Sequence, residues 1–423
     1  MSDLVERDIQ SIWHPYTQMK TAGPPVPVVR GEGVYLYTAD GRRLIDAVSS
    51  WWVTIHGHSH PVIAEAVYQQ LKTLEHVIFA GFTHPKAVEL AEKLLSILPK
   101  SQQKVFYSDN GSTAVEVAIK MCLQYWHNRG EKRQQIIAFK DAYHGDTFGA
   151  MSISGRSAFT KAFEGLLFDV HFIDLPNAEN IEELKAEISS LKKETACFIF
   201  EPLVLGSGGM LMYEPQFLDQ LLAHCKSEQI FTVADEVMTG FGRTGKLFAT
   251  DYIENKADIM CFSKGLTGGT MPLGITTCSQ EIYDAFLSDD KLKTLFHGHS
   301  FTANPAICAC ACASFDLLMD PQTMENIQRI VEHHAQFKEK IQQHPKLKEV
   351  RQRGTIIAFE WKDQEQQTSY FHQLRDNLYQ FFLEKNIILR PLGNIIYILP
   401  PYCISNEDLD LIYGLIEEAL EQF

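Results

Sequence analysis

IFTVADE (230–236) and DIMCFSK (258–264) decide how this chain is built. Each is a short, unbroken apolar run that ends in charge, at Asp235-Glu236 in the first and at Lys264 in the second. A strand with one wet face alternates polar and apolar residues. A run without alternation is buried on both faces, as in parallel sheets covered by helices. VFY (105–107), IIAF (136–139), ACFIFEP (196–202) and LGITTC (273–278) repeat the pattern, with helix-like stretches between them. Ala114, Val117, Ala118 and Met121 recur at helical spacing after SDNGS. So do Ile63, Val67, Leu71 and Leu74, and, after Pro85, Ala87, Leu90, Leu94 and Leu98. The expected fold is α/β, with a large domain around a mostly parallel sheet.

Past about residue 315 the rhythm changes. An amphipathic helix (322–342), GTIIAFEW (354–361), a helix around 371–385, NIILRP, NIIYILPP and a last helix (406–421) describe a smaller α+β unit. Near the N-terminus, Val34 to Thr38 and Arg43 to Asp46 flank Asp40-Gly41, a hairpin signal. Two strands alone are marginal, so the hairpin is expected to join the smaller unit. The expected division is 1–52 with 315–423 as the small domain and 53–314 as the large one.

Composition narrows the function. A formal net charge of −15 disfavours a broad nucleic-acid surface. MSDLVERDIQSIWHPY lacks a basic stretch followed by an apolar one, and no apolar run is long enough for a membrane span. Nine cysteines without zinc spacing are expected to be reduced and buried, which fits the cytoplasm.

In an open α/β sheet the ligand crevice lies at the carboxyl ends of the strands. Asp235 and Lys264 both fall there. Either residue alone is explained by an ion pair or a solvated strand end; together they match what pyridoxal phosphate (PLP) chemistry requires. That chemistry needs a lysine to hold the cofactor and move protons, and a carboxylate on the pyridine nitrogen. It also needs amide donors for the phosphate at a helix start, which Gly111-Ser112-Thr113 can supply, although an ordinary cap reads the same way. Tyr143-His144-Gly145-Asp146 follows IIAFK and could set a ring over the pyridine, or pack as a loop tyrosine on the core.

Other motifs compete. GFGRTG (240–245) matches the dinucleotide fingerprint and, with Lys246, the P-loop. Leu247 stands where the P-loop needs Ser or Thr, and no long helix follows. Arg243 is left free to meet a carboxylate. His56, His58 and His60 alternate without an acid or cysteine beside them, so no metal is expected. CACAC (308–312) is expected as small core residues on a helix after Pro305. Trp51-Trp52 and Trp13–Tyr16 are either packing patches or walls of a pocket.

DEVMTGFGRTGKLFA (235–249) with Lys264 in SKGLTGG resembles the class III, fold-type I PLP aminotransferases. WHPYTQM (13–19), SSWWVTIHGHSHP (49–61), YHGDTFGAMS (143–152), HGHSFTANP (297–305) and LRPLGNIIYILPPY (389–402) extend the resemblance over essentially the whole chain. It implies a ping-pong transamination of a long oxo acid, 8-amino-7-oxononanoate. Lys264 would be the Schiff-base lysine, Asp235 would bind the pyridine nitrogen, Gly111 and Ser112 would hold phosphate, and Tyr143 would stack on the ring. Tyr16 and Trp51 would line the substrate pocket, Tyr16 close to the chemistry, and Arg390 would take the terminal carboxylate. Gly298, His299 and Ser300 would reach the neighbouring subunit's cofactor, which implies a homodimer. Adenosylmethionine-using members carry Pro-Thr where this chain has His299-Ser300, a pair familiar from lysine-using relatives. WHPYT and SSWW favour adenosylmethionine as amino donor.

Overall fold

The computed structural model describes residues 3–362 and 373–423. Its main sheet has seven strands, in the spatial order Gln102–Ser108, Gly274–Ser279, Ile259–Phe262, Phe231–Asp235, Thr195–Phe200, Gln135–Phe139, His171–Ile173. Six run in one direction. Gly274–Ser279 is antiparallel to both of its neighbours, so LGITTC is a strand but not one of the parallel set.

The unbroken apolar runs have the cause inferred from them. Ile136 and Ala138, Ile199, Val233, Ile259 and Cys261 pack on one face against the helix Gly111–Asn128. Ile137 and Phe139, Phe198 and Phe200, Ala234, Met260 and Phe262 fill the other face with Leu90 and Leu94 of Pro85–Ile97 and Leu221 of Pro215–Ser227. Successive side chains point to opposite faces, and both faces are core. The helix Pro305–Leu318, capped by Asn304, buries Cys308, Cys310 and Cys312. Pro61–Thr73 is helical as its spacing predicts. Only Ile63 of its apolar stripe is fully buried, and Val62, Tyr68 and Leu71 are exposed.

The C-terminal part forms an antiparallel sheet, Leu347–Arg353, Ile356–Trp361 and Ile395–Ile398. It lies beside the helices Pro321–Ile341 and Asn406–Gln422, where Phe337 stacks on Tyr413 at 4.1 Å. The helix expected around 371–385 is Gln373–Glu384, the start of that range lying outside the described residues. The N-terminal hairpin, Tyr35–Thr38 with Arg43–Asp46, finds its partners in Val28–Glu32 and in Ile387–Ile388, the latter pairing in parallel.

Chain segments far apart in sequence meet at Gly354. Its φ is +59°, and a Cβ there would run into the backbone of Thr244 and Gly245, while Thr355 N donates to Arg243 O at 2.9 Å. Gly354→Ala should therefore cost about 2–4 kcal/mol in denaturant unfolding, through both strain and collision. Gly130→Ala is the control. Gly130 has a φ of +78° but nothing within 4 Å of a Cβ, and it should lose only about 1 kcal/mol.

Candidate active site

The carboxyl ends of the parallel strands and the loops behind them enclose a cleft of about 840 Å³. Asp235, the last residue of its strand, is buried there. Its Oδ1 accepts from Val237 N at 3.1 Å and its Oδ2 from His144 Nδ1 at 2.7 Å. Asp235 thus pairs with His144 rather than with Lys264 among the described residues. The His144 Nε2 is buried and has no hydrogen-bond partner among them.

Lys264 lies two residues past the end of Ile259–Phe262, with a left-handed φ of +44°. It is half-buried in the cleft, with Nζ 5.4 Å from the centroid of the Trp52 ring. Burial pushes its amine below the ordinary lysine value. Asp235 and Glu201 oppose that push, and Arg243 adds to it. A buried amine held toward its neutral form is a nucleophile.

The helix Gly111–Asn128 opens onto the same cleft. Asn110 caps it by accepting from Thr113 N at 3.0 Å, and Asn110 N donates in turn to Thr113 Oγ1. The first amides of a helix have no partner within it, which leaves Gly111 and Ser112 to serve an anion. Glycine is needed at 111 because a Cβ would stand 2.7 Å from Val237 Cγ1. Glu116, one turn on, ties this helix to the next loop. Its Oε1 accepts from Thr147 Oγ1 at 2.6 Å and from Gly149 N at 2.8 Å.

Tyr143 N donates to Glu201 at 2.9 Å, and Gly206 N donates to the other oxygen at 3.1 Å. The Tyr16 hydroxyl donates to Asp146 and lies 3.5 Å from the Tyr143 hydroxyl. Burial, with Tyr16 and Asp146 alongside, pushes the Tyr143 phenol well up. The edge of Tyr16 meets Trp51 at 5.7 Å, and the Arg390 guanidinium lies over the Trp51 ring at 3.9 Å.

Lys264, Asp235, Gly111, Ser112, Tyr143, Tyr16, Trp51 and Arg390 therefore line one cleft. Gly298, His299 and Ser300 do not line it; His299 pairs instead with Asp109, at 3.1 Å. Trp13 points away, 87% exposed. Arg243 corrects its expectation. It is buried and donates to the carbonyls of Pro400, at 2.7 Å, and Trp52, at 3.4 Å, so it holds backbone and not a carboxylate. The GFGRTG loop is core, clamped by Glu236 through Thr239, Ala249 and Thr250, which leaves no room for a nucleotide. Among the described residues no group of three possible ligands could hold a metal. His56 bonds Ser314, and His58 bonds Asp46.

Sequence reasoning assigned no role to His144, Asp146 or Glu201. Glu201 did carry a signal, being a charge directly after the apolar strand Thr195–Phe200, as Asp235 is at the end of its own. The buried amine, the histidine-backed carboxylate and the glycine-opened helix start are the donor set that PLP needs, and the residues fit it.

Residues 16–420 match the family described as aminotransferase class-III. The chain is 47% identical to the adenosylmethionine-8-amino-7-oxononanoate aminotransferase of Synechococcus elongatus, over 97% of this chain and 98% of that protein. The crystal structure of the same-named enzyme from Methanocaldococcus jannaschii superposes with a TM-score of 0.95 at 37% identity, covering 99% of this chain and 98% of that one. An omega transaminase from Pseudomonas jessenii in complex with PMP superposes with a TM-score of 0.93 at 26% identity, covering 100% and 98%.

Burial pushes the Glu201 carboxyl from 4.5 up to about 7; Asp235 adds to this, while His144 and the two backbone donors oppose it. The folded value lies above the unfolded one, so ionising Glu201 costs stability. That cost is absent below about pH 4.5, grows as pH rises and is complete above about pH 7. Glu201→Gln should therefore stabilise the cofactor-free protein by on the order of 2 kcal/mol at about pH 8, and by little at about pH 5. Thermal melts at the two pH values check this; equal destabilisation at both would show that the carboxylate is ionised and structurally required.

Proposed function

The chain belongs to the class-III aminotransferases, which work with pyridoxal 5′-phosphate, and from that membership we propose that it acts in biotin biosynthesis in the cytoplasm. It would transfer the amino group of S-adenosyl-L-methionine to 8-amino-7-oxononanoate and so produce 7,8-diaminononanoate. The observation that carries the reading is the pairing of Lys264 and Arg390 in one cleft walled by Tyr16 and Trp51, a carbonyl-reactive amine with a carboxylate-ready guanidinium. Eight buried free cysteines fit a reducing compartment.

When bound, pyridoxal phosphate takes an amino group from one substrate and gives it to the next, its protonated ring withdrawing electrons from the substrate carbon. The protein's residues divide the remaining work. Asp235 would hold the proton on the ring nitrogen, and His144 Nδ1 fixes the orientation of that carboxylate. The amides of Gly111 and Ser112 would hold the phosphate, and Tyr143 would cover the ring. Lys264 Nζ would hold the cofactor through its carbonyl and, once freed, would carry the proton to and from the substrate carbon. Donor amine becomes ketone in the first half and acceptor ketone becomes amine in the second, so the exchange balances. Arg390 receives the distal carboxylate of the oxo acid. Tyr16 and Asp146 present a hydroxyl and a carboxylate to substrate amines. His299-Ser300 favours a second reading in which lysine is the donor.

We also infer a homodimer. Ile78, Phe82, Phe296 and Phe301 are exposed on segments that lie together, joined by the Asn304 Nδ2 bond to Glu75 O and the His84 Nε2 bond to Ala303 O. Such a patch marks an interface. It borders Gly298, His299 and Ser300, which would then complete the partner's phosphate site.

Purified protein should be yellow, and borohydride should fix the cofactor on Lys264. Lys264→Ala should lose about three orders of magnitude in turnover or more. Product formation from 8-amino-7-oxononanoate, followed by mass spectrometry with adenosylmethionine and with lysine, should favour adenosylmethionine; no product with either rejects the acceptor. Sedimentation should give a dimer, and Phe301→Glu should shift it to monomer with loss of bound cofactor.

A further inference from the structure

Asp46 lies outside the cleft, fully buried at the end of Arg43–Asp46. Its Oδ1 accepts from Val48 N at 3.2 Å. Its Oδ2 accepts from Ser50 N at 2.7 Å, from Ser50 Oγ at 3.2 Å and from His58 Nε2 at 2.9 Å. Three of these four bonds come from the short segment that carries Trp51 and Trp52. That segment is strained: Ser49, Ser50 and Trp52 have φ of 51°, 60° and 67°. Left-handed conformations at non-glycine residues persist only where the surroundings over-determine them. Two further bonds pin the far side, from Ser49 Oγ to Leu399 O at 2.8 Å and from Trp52 Nε1 to the Tyr397 hydroxyl at 2.9 Å.

The strained turn sends adjacent tryptophans to different places. Trp52 goes inward, beneath Lys264 Nζ. Trp51 stays at the cleft wall, with the Arg390 guanidinium stacked 3.9 Å over its ring. A guanidinium lying on an aromatic face is fixed in plane and keeps its edge N–H groups for a carboxylate. Without the left-handed residues the two rings could not occupy these two walls.

We propose that Asp46 is a positioning residue for carboxylate recognition: by holding the Ser49–Trp52 turn it fixes Trp51 as the platform for Arg390, and so sets the preference for substrates with a distal carboxylate. The inference rests on the reading of Arg390 as the carboxylate site. Asp46 touches neither substrate nor cofactor, so its effect appears in selectivity and not in the chemistry at Lys264.

The test uses the cofactor-loaded Asp46→Asn enzyme, whose side chain keeps its size but replaces one acceptor with a donor. KM for 8-amino-7-oxononanoate should rise about tenfold or more, with kcat changed by less than about threefold and KM for the amino donor unchanged. Nonanoate, a carboxylate of similar length, should bind about tenfold more weakly by calorimetry, while nonan-1-ol should bind as it does to the wild type. Adding Ser50→Gly, which accepts a left-handed φ without strain, should recover part of the loss. If Asp46→Asn does not retain cofactor, Ser50→Ala removes one of the four bonds and should show the same selective weakening in smaller measure. Equal weakening of nonanoate and nonan-1-ol, or an unchanged KM for the oxo acid, overturns the inference. A wild-type enzyme that neither binds nonanoate nor turns over the oxo acid instead overturns the substrate reading on which it rests.

Discussion

An amine drawn partly out of water at the carboxyl end of a sheet strand is the constraint around which this molecule is arranged. Lys264 is half-buried, and desolvation, with Arg243 adding to it, pushes its amine below the ordinary lysine value. No ion pair joins it to Asp235 among the described residues, although the two strand ends might suggest one. Asp235 is instead oriented by His144 and lines the cleft. The left-handed backbone at Lys264 and the Trp52 ring below it are what it takes to hold a long side chain in that place.

The loop between the two strands shows the other half of the arrangement. DEVMTGFGRTGK has the glycine spacing of a nucleotide-binding loop, but Glu236 turns it inward, gathering Thr239, Ala249 and Thr250. Arg243 finishes the inward turn on the carbonyls of Pro400 and Trp52, the second of which belongs to the strained tryptophan turn. One loop thereby links the strand bearing Asp235 to the C-terminal unit and to the cleft wall. Its glycines serve close backbone approach, as at Gly242 beside Tyr402 and at Gly245 beside Gly354, and not approach to a phosphate.

How much of this could be read in advance follows from what leaves a mark on composition. Burial on two faces leaves unbroken apolar runs, so the core strands were legible. Val28–Glu32 was not, because an exposed edge strand containing Arg30 and Gly31 carries no such run. His171–Ile173 is too short to register. Asp235 and Lys264 stood out because charge at the end of an apolar run is costly unless used. The partnership of His144 with Asp235 depends on loop geometry, which spacing does not encode. Arg243 was misread for a related reason: residue type predicts that a guanidinium seeks acceptors, but only the fold decides that they are carbonyls. The turn at Ser49–Trp52 was visible as two tryptophans, yet nothing in SSWW announces three left-handed residues.

Asp46, Glu201, Asp235 and Glu236 are buried carboxylates in or near the cleft walls, and the number of donors around each separates scaffold from chemistry. Asp46 and Glu236 each accept four hydrogen bonds, two on each oxygen of Glu236 and one and three on the oxygens of Asp46. Such groups are clamps, held by donors that the fold itself supplies. Asp235 and Glu201 each accept two among the described residues, and both line the cleft. Burying a carboxylate with half of its acceptor sites unfilled is unfavourable. Their place is explained if the missing donors arrive with the cofactor, at Asp235 a ring N–H. At Glu201, whose carboxyl burial raises to about 7, a proton can meet part of the same need. The same acid chemistry thus yields a fixed brace where the fold supplies the donors and a working group where it withholds them.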